Sequence, residues 1–82
     1  MNKTGYISYN IAELSKPAIL VLLNMAQEMS KDNIVNIETK TIADKIGYSE
    51  RSVKRAMREL KQTGVLERIE TVYCVSKDYI YL

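Results

Sequence analysis

The sequence predicts an α+β fold of three helices, one short strand and a closing β-hairpin. Apolar residues recur at steps of three and four over residues 16–29, 40–46 and 50–62, the spacing that places them on one face of a helix. After Gly64 the pattern changes to two short runs, 65–69 and 72–75, across a two-residue connection, which predicts a hairpin. A length of 82 residues fits a single domain, residues 1–82.

The first helix starts at Ser15 or Lys16, with Pro17 in the first turn, where its missing N–H is harmless. A stripe of apolar residues forms its core face: Ile19, Leu22, Leu23, Ala26 and Met29. Three more apolar residues lie off this stripe and are the predicted dimer interface: Leu20, Val21 and Met25. Either a second subunit or the N-terminal arm, residues 1–14, covers them, and the arm includes a short alternating strand at 6–9.

Residues 39–63 have the pattern of a helix-turn-helix. Gly47 ends the second helix, which Glu38 or Thr39 caps, and supplies the left-handed conformation that reverses the chain. Ser49 caps the third helix by accepting from the N–H of residue 51 or 52. Ala43 is small, as a helix crossing requires, and the hairpin that follows, residues 65–75, makes the predicted fold a winged helix. A strand at 34–37 and an extended segment at 76–82 complete the predicted elements.

The third helix carries five cations between its apolar positions, and Glu59 is the only acid between Arg51 and Lys61. An α-helix fits the major groove of B-DNA, where arginine reads guanine through two hydrogen bonds. We therefore predict DNA binding, with five base-reading residues: Ser49, Glu50, Arg51, Ser52 and Arg55.

A second set of residues is predicted to hold DNA phosphates, which fixes position without reading sequence. Helix N-termini bind anions, and the cations at the side and end of the third helix point toward the backbone. The wing contributes one cation, and the acid at its tip limits it to a single backbone contact. The set is Thr39, Lys40, Thr41, Lys54, Arg58, Lys61 and Arg68.

Charge and composition narrow the function classes. The net charge is +2, but residues 38–68 carry eight cations against five acids, as expected for an anionic partner. One cysteine and no histidine exclude an internal disulfide, a zinc site and a histidine dyad. We expect no enzyme activity, no cofactor and no metal, and no small-molecule effector is evident from the sequence. The longest apolar run, residues 18–23, is too short for a membrane span, so the expected location is the cytoplasm.

The stretch IETKTIADKIGYSERSVKRAMRELKQTGVLERI resembles the winged helix-turn-helix of many bacterial, phage and archaeal-virus regulators. With the preceding SKPAILVLLNMAQEM and the later Val75-Ser76-Lys77-Asp78-Tyr79, it is similar to plasmid replication initiators of the RepL type. The resemblance implies duplex DNA binding by a symmetric dimer that regulates transcription or replication of a plasmid or virus. The alternative is a protein-interaction module that uses the apolar first helix.

Overall fold

A computed structural model describes residues 6–7 and 9–81 of the chain and confirms the predicted α+β winged-helix architecture. No helix in that part of the chain is long and apolar enough to cross a membrane. The elements, in chain order, are β1 (Tyr6–Ile7), a 3₁₀ helix (Tyr9–Glu13), α1 (Lys16–Glu28), β2 (Ile34–Val35), α2 (Thr39–Ile46), α3 (Glu50–Gln62), β3 (Leu66–Ile69), β4 (Val72–Val75) and β5 (Ile80–Tyr81).

The helix boundaries follow local capping chemistry. Ser15 caps α1, accepting from the backbone N–H of Ala18 at 3.3 Å, and Ser49 caps α3 in the same way, accepting from Ser52 at 3.1 Å. Gly47 ends α2 at φ 77°, the left-handed conformation that the sequence predicts. Glu38 occupies the N-cap position of α2, but its side chain makes no capping hydrogen bond.

Two small antiparallel sheets complete the fold. β3 and β4 form the predicted hairpin, with Ile69 opposite Val72, and β2 pairs with the other edge of β4. β1 pairs with β5, so the extended C-terminal segment does form an edge strand. Of the predicted arm strand at 6–9, residues 6–7 form β1 and Tyr9 begins the 3₁₀ helix, while Ser8 lies outside the described residues.

The core corrects the prediction for the second face of α1. Val21 and Met25 are completely buried within the chain itself, and Leu20 is half-buried. Ile80 belongs to the same core, and Ile11 packs against it from the segment before α1. Two of the three residues predicted for a dimer interface are therefore core residues, out of reach of a second subunit.

Asn33, in the loop after α1, connects that loop to the end of β4 and to the start of β5. It is 1% exposed and adopts φ 61°, and its Nδ2 donates to the carbonyl oxygens of Val75 at 3.1 Å and Ile80 at 2.9 Å. Its own carbonyl accepts from the N–H of Val75 at 2.8 Å. One buried side chain thus fixes the end of β4 and the start of β5 relative to α1.

Glu59 connects α3 to the start of α1. Its two carboxylate oxygens accept from the backbone N–H of Ser15 at 2.8 Å and from the Ser15 hydroxyl at 2.7 Å. These hydrogen bonds, the hydroxyl bond first, lower the pKa of Glu59 below its ordinary value of 4.5. The only acid between Arg51 and Lys61 therefore has a structural partner on the cap of α1.

Replacing Asn33 by alanine is expected to lower the free energy of unfolding by about 3 kcal/mol, because two buried carbonyls lose their donor and alanine tolerates the left-handed conformation less well than asparagine does. Urea unfolding followed by circular dichroism measures this change. Asn33→Gly loses the same hydrogen bonds but tolerates φ 61°, so it should retain about 1 kcal/mol more stability than Asn33→Ala. An unfolding midpoint equal to that of the wild type in both variants would contradict the role of Asn33.

Glu59→Gln is expected to lower the free energy of unfolding by about 1 kcal/mol at pH 7. This loss is smaller than that expected for a buried charged hydrogen bond, because Glu59 is partly exposed. Since folding lowers the pKa of Glu59, its contribution is complete above pH 4.5 and is lost as the pH falls through the folded pKa. The stability difference between wild type and variant should therefore shrink in acid, as measured by urea unfolding across pH. Glu67→Gln, which removes the same charge from exposed β3, is the control for the change in net charge. A loss of stability at pH 7 in Glu59→Gln no larger than the loss in this control would contradict the role of the Ser15 hydrogen bonds.

Candidate nucleic-acid interface

The division of α3 between core and solvent determines which side chains reach a partner. Its apolar face packs against α1 and α2 and is buried: Val53, Ala56, Met57 and Leu60. The turn before it is short because Gly47 reverses the chain and Ser49 starts the next helix at once. All five cations of α3 remain exposed on the other faces: Arg51, Lys54, Arg55, Arg58 and Lys61.

One of the two acids of α3, Glu59, has its partner on another element. Glu59 turns toward Ser15 at the start of α1, as described above. Lys45, a cation of α2, forms an ion pair with Glu28 of α1 at 3.2 Å, with both side chains about half exposed. The exposed surface of α3 therefore carries five cations and one exposed acid, Glu50, which lies in its first turn.

A groove of about 720 Å³ runs between the start of α2, α3 and the inner face of the hairpin. Six of the seven residues predicted to hold phosphates line it: Thr39, Lys40, Lys54, Arg58, Lys61 and Arg68. The seventh, Thr41, is half-buried and lies outside this groove. The structure thus brings together, from three elements, most of the residues that the sequence assigned to the DNA backbone.

The other flank of α3 has a smaller groove of about 410 Å³. It is lined by Glu50, Arg51, Lys54, Arg55 and Arg58, and so contains the arginine pair predicted to read bases. Arg51 and Arg55 stand four residues apart, one above the other on the helix surface. Cations therefore line both flanks of α3.

Three of the predicted base-reading residues also have partners within the chain. Glu50 accepts from the Thr39 hydroxyl at 2.9 Å, which ties the first turn of α3 to that of α2. The Ser49 hydroxyl caps α3 and donates to the Ser52 hydroxyl at 3.0 Å. These side chains hold the start of α3 in place, and Ser49 and Ser52 line neither groove.

Sequence reasoning missed part of the groove beside the wing. Asn36, Thr71 and Tyr73 also line it, and none of them was predicted as a site residue. Tyr73 could have been found, because a two-residue connection at 70–71 places it directly opposite Arg68 in the hairpin. Asn36 had no such signal, because it lies just after β2, and β2 joins the sheet through a pairing distant in sequence.

The chemistry available in these grooves is anion binding. Amine, guanidinium and hydroxyl groups converge there beside the carboxylates of Glu38 and Glu50, and the first turn of α2 adds backbone N–H groups. Among the described residues, no group of three or more His, Cys, Asp or Glu is placed to hold a metal ion. A polyanion that runs along α3 would meet cations on both sides of the helix.

Comparison with known protein families supports the helix-turn-helix prediction. The family model described as a helix-turn-helix domain matches residues 12–66, from the segment before α1 to the first residue of β3. Helix-turn-helix domains typically bind DNA. No curated protein and no solved structure matches the chain. The finer resemblance to replication initiators stays a prediction.

Proposed function

The chain belongs to the helix-turn-helix domain family, and from that membership we propose that it binds double-stranded DNA through α3 in the major groove. The observation that carries the proposal is the exposed surface of α3, where five cations stand clear of the core and Glu59 is turned away toward α1. An α-helix with its side chains is about 10–12 Å wide and the major groove about 12 Å. Cations on both flanks would then face both walls of the groove.

The two flanks of α3 support separate roles for two sets of side chains, one that reads bases and one that binds phosphates. Arg51 and Arg55 line the flank away from the wing, and we propose that they read base edges, with Ser49, Glu50 and Ser52 at the same end of the helix. On the wing side, Lys54, Arg58, Lys61 and Arg68 would hold phosphates together with the first turn of α2. Glu50 would read cytosine by accepting a hydrogen bond from the N4 amino group of that base. Its carboxylate would then be shared with the Thr39 hydroxyl, which donates to it in the free protein.

The biological role that fits is regulation of transcription or replication from a specific operator on a plasmid or virus. This role rests on the sequence resemblance to small regulators and replication initiators. A homodimer is part of the proposal, and it would place two recognition helices about 34 Å apart on an inverted repeat. Of the predicted interface only Leu20 keeps part of its surface, since Val21 and Met25 are buried.

The alternative, a protein-interaction module that works through α1, has little support in the structure. It needs an apolar face of α1 on the surface, and α1 buries Ala18, Val21, Leu22, Met25 and Ala26 in the chain's own core. Its remaining large apolar side chains are at least partly covered. We therefore propose DNA binding rather than protein interaction through α1.

Removing Arg51 and Arg55 together is expected to weaken binding to random-sequence duplex DNA at least tenfold, about 1.4 kcal/mol, because both arginines leave the helix surface that enters the groove. Fluorescence anisotropy at several salt concentrations measures the affinity, which should fall steeply with salt in the wild type. The matched control is Lys16→Ala with Lys31→Ala, which removes two exposed cations that line neither groove and should change affinity about twofold or less. Equal losses of affinity in the two double variants would mean that net charge alone drives binding.

Arg55→Ala and Lys61→Ala are expected to have different effects on binding, because Arg55 is proposed to read a base and Lys61 to bind a phosphate. On a selected operator, Arg55→Ala should cost about 1–3 kcal/mol and relax the preference at one base pair, because alanine cannot form the two hydrogen bonds to guanine. Lys61→Ala should weaken operator and scrambled duplex by the same factor, since a phosphate contact carries no sequence information. Competition binding with both duplexes measures this, and an identical pattern in the two variants would refute the division.

A further inference from the structure

Tyr73 lies at the junction between α3 and the wing, with a cation from each element over its ring. It sits in β4, half-buried, and lines the groove beside the wing. The Nζ of Lys61, from the last turn of α3, is 5.7 Å from the ring centroid, and the Cζ of Arg68, opposite Tyr73 in β3, is also 5.7 Å away. Both cations are exposed.

An aromatic ring attracts cations within about 6 Å through the negative charge on its face, so Tyr73 favours one position for each of these side chains. Lysine and arginine are long and lose rotamer freedom when they bind, and a side chain already held in place loses less. Arg68 is further restrained because its Nε donates to the carbonyl oxygen of Glu70 at 3.1 Å. The ring thus brings together two charges that would otherwise move independently.

We propose that Tyr73 is a positioning residue for the DNA backbone, holding Lys61 and Arg68 as one phosphate clamp that joins the recognition helix to the wing. This inference rests on the DNA binding proposed above. It explains how a wing with a single cation contributes to binding: the second charge comes from α3. The tip, where Glu70 would repel phosphate, is not the contact, and the backbone is held further back, on the inner face of the hairpin.

The slope of log affinity against log salt concentration tests the clamp directly, because removing one phosphate contact reduces the slope by about 0.9. Removing both cations, Lys61→Ala with Arg68→Ala, should therefore lower the slope by about 2. Tyr73→Ile, which removes the ring but suits a strand, should reproduce most of that reduction, and adding it to the double variant should change the slope no further. Tyr73→Phe keeps a ring and should retain the wild-type slope.

Tyr81→Ile is the matched control. Tyr81 also has a cation over its ring, Lys77 at 5.8 Å, but it lies in β5 and does not line the groove. Its replacement should leave the slope unchanged. Circular dichroism checks that each variant folds, and Tyr73→Met serves in place of Tyr73→Ile if the latter unfolds. In the free protein, NMR should show the side-chain Hε protons of Lys61 shifted upfield by the ring, and this shift should disappear in the ring-less variant.

The possible results separate this inference from the proposed function. A wild type that fails to bind DNA at low salt overturns the proposed function, and the inference falls with it. A wild type that binds with a steep salt slope, together with a folded Tyr73→Ile whose slope is unchanged, overturns the clamp alone. The clamp is also overturned if Tyr73→Ile lowers the slope of the Lys61, Arg68 double variant by as much as it lowers that of the wild type, because the ring would then act independently of the two cations.

Discussion

The arrangement of the cations on α3 depends on the burial of one apolar face of that helix. Four side chains at helical spacing fix the rotation of the helix about its own axis: Val53, Ala56, Met57 and Leu60. Because successive residues lie about 100° apart on a helix, this rotation also determines that Arg51 and Arg55 face one groove and that Lys61 faces the wing. The same packing that stabilises the fold therefore arranges the charged surface.

Polar contacts between distant parts of the chain place the remaining elements around α3. Glu59 hydrogen bonds to Ser15, which keeps this acid on the side of α1. Asn33 fixes the end of β4, the strand that carries Tyr73 at the floor of the groove. Breaking either set of hydrogen bonds would therefore affect both stability and the geometry of the proposed interface, and variants at these positions need a test of folding before a binding result is interpreted.

Local chemistry made much of the fold predictable from the sequence. Gly47 and Ser49 mark the turn because a left-handed residue and a hydroxyl cap act over a few neighbouring residues, and α3 spans the predicted residues Glu50–Gln62. The two-residue connection of the hairpin likewise fixed the register of β3 and β4. Most of the predicted phosphate-holding residues line one groove for the same reason, since helix rotation and hairpin register follow from periodicity.

Contacts between distant parts of the chain were not predictable in this way. Val21 and Met25 lie off the main stripe of α1, and their burial depends on a core that includes Ile80, which lies 59 and 55 residues further along the chain. Nothing near Glu59 in the sequence identifies Ser15 as its partner, because 44 residues separate them. Asn33 resembles an ordinary loop residue until the carbonyls of β4 and β5 are placed beside it.

The most direct test of DNA binding through α3 is an NMR titration of the ¹⁵N-labelled full chain with a random-sequence duplex at low salt. Binding through this helix predicts that backbone signals shift along the first half of α3, at the start of α2 around Thr39 and Lys40, and in the wing at Arg68 and Tyr73. Signals of the outward-facing Ile34 and Ile69, the exposed large apolar residues of the hairpin sheet, should change little. Shifts concentrated at Ile34 and Ile69, or no shifts at all, would contradict the assignment of α3 as the DNA-binding surface.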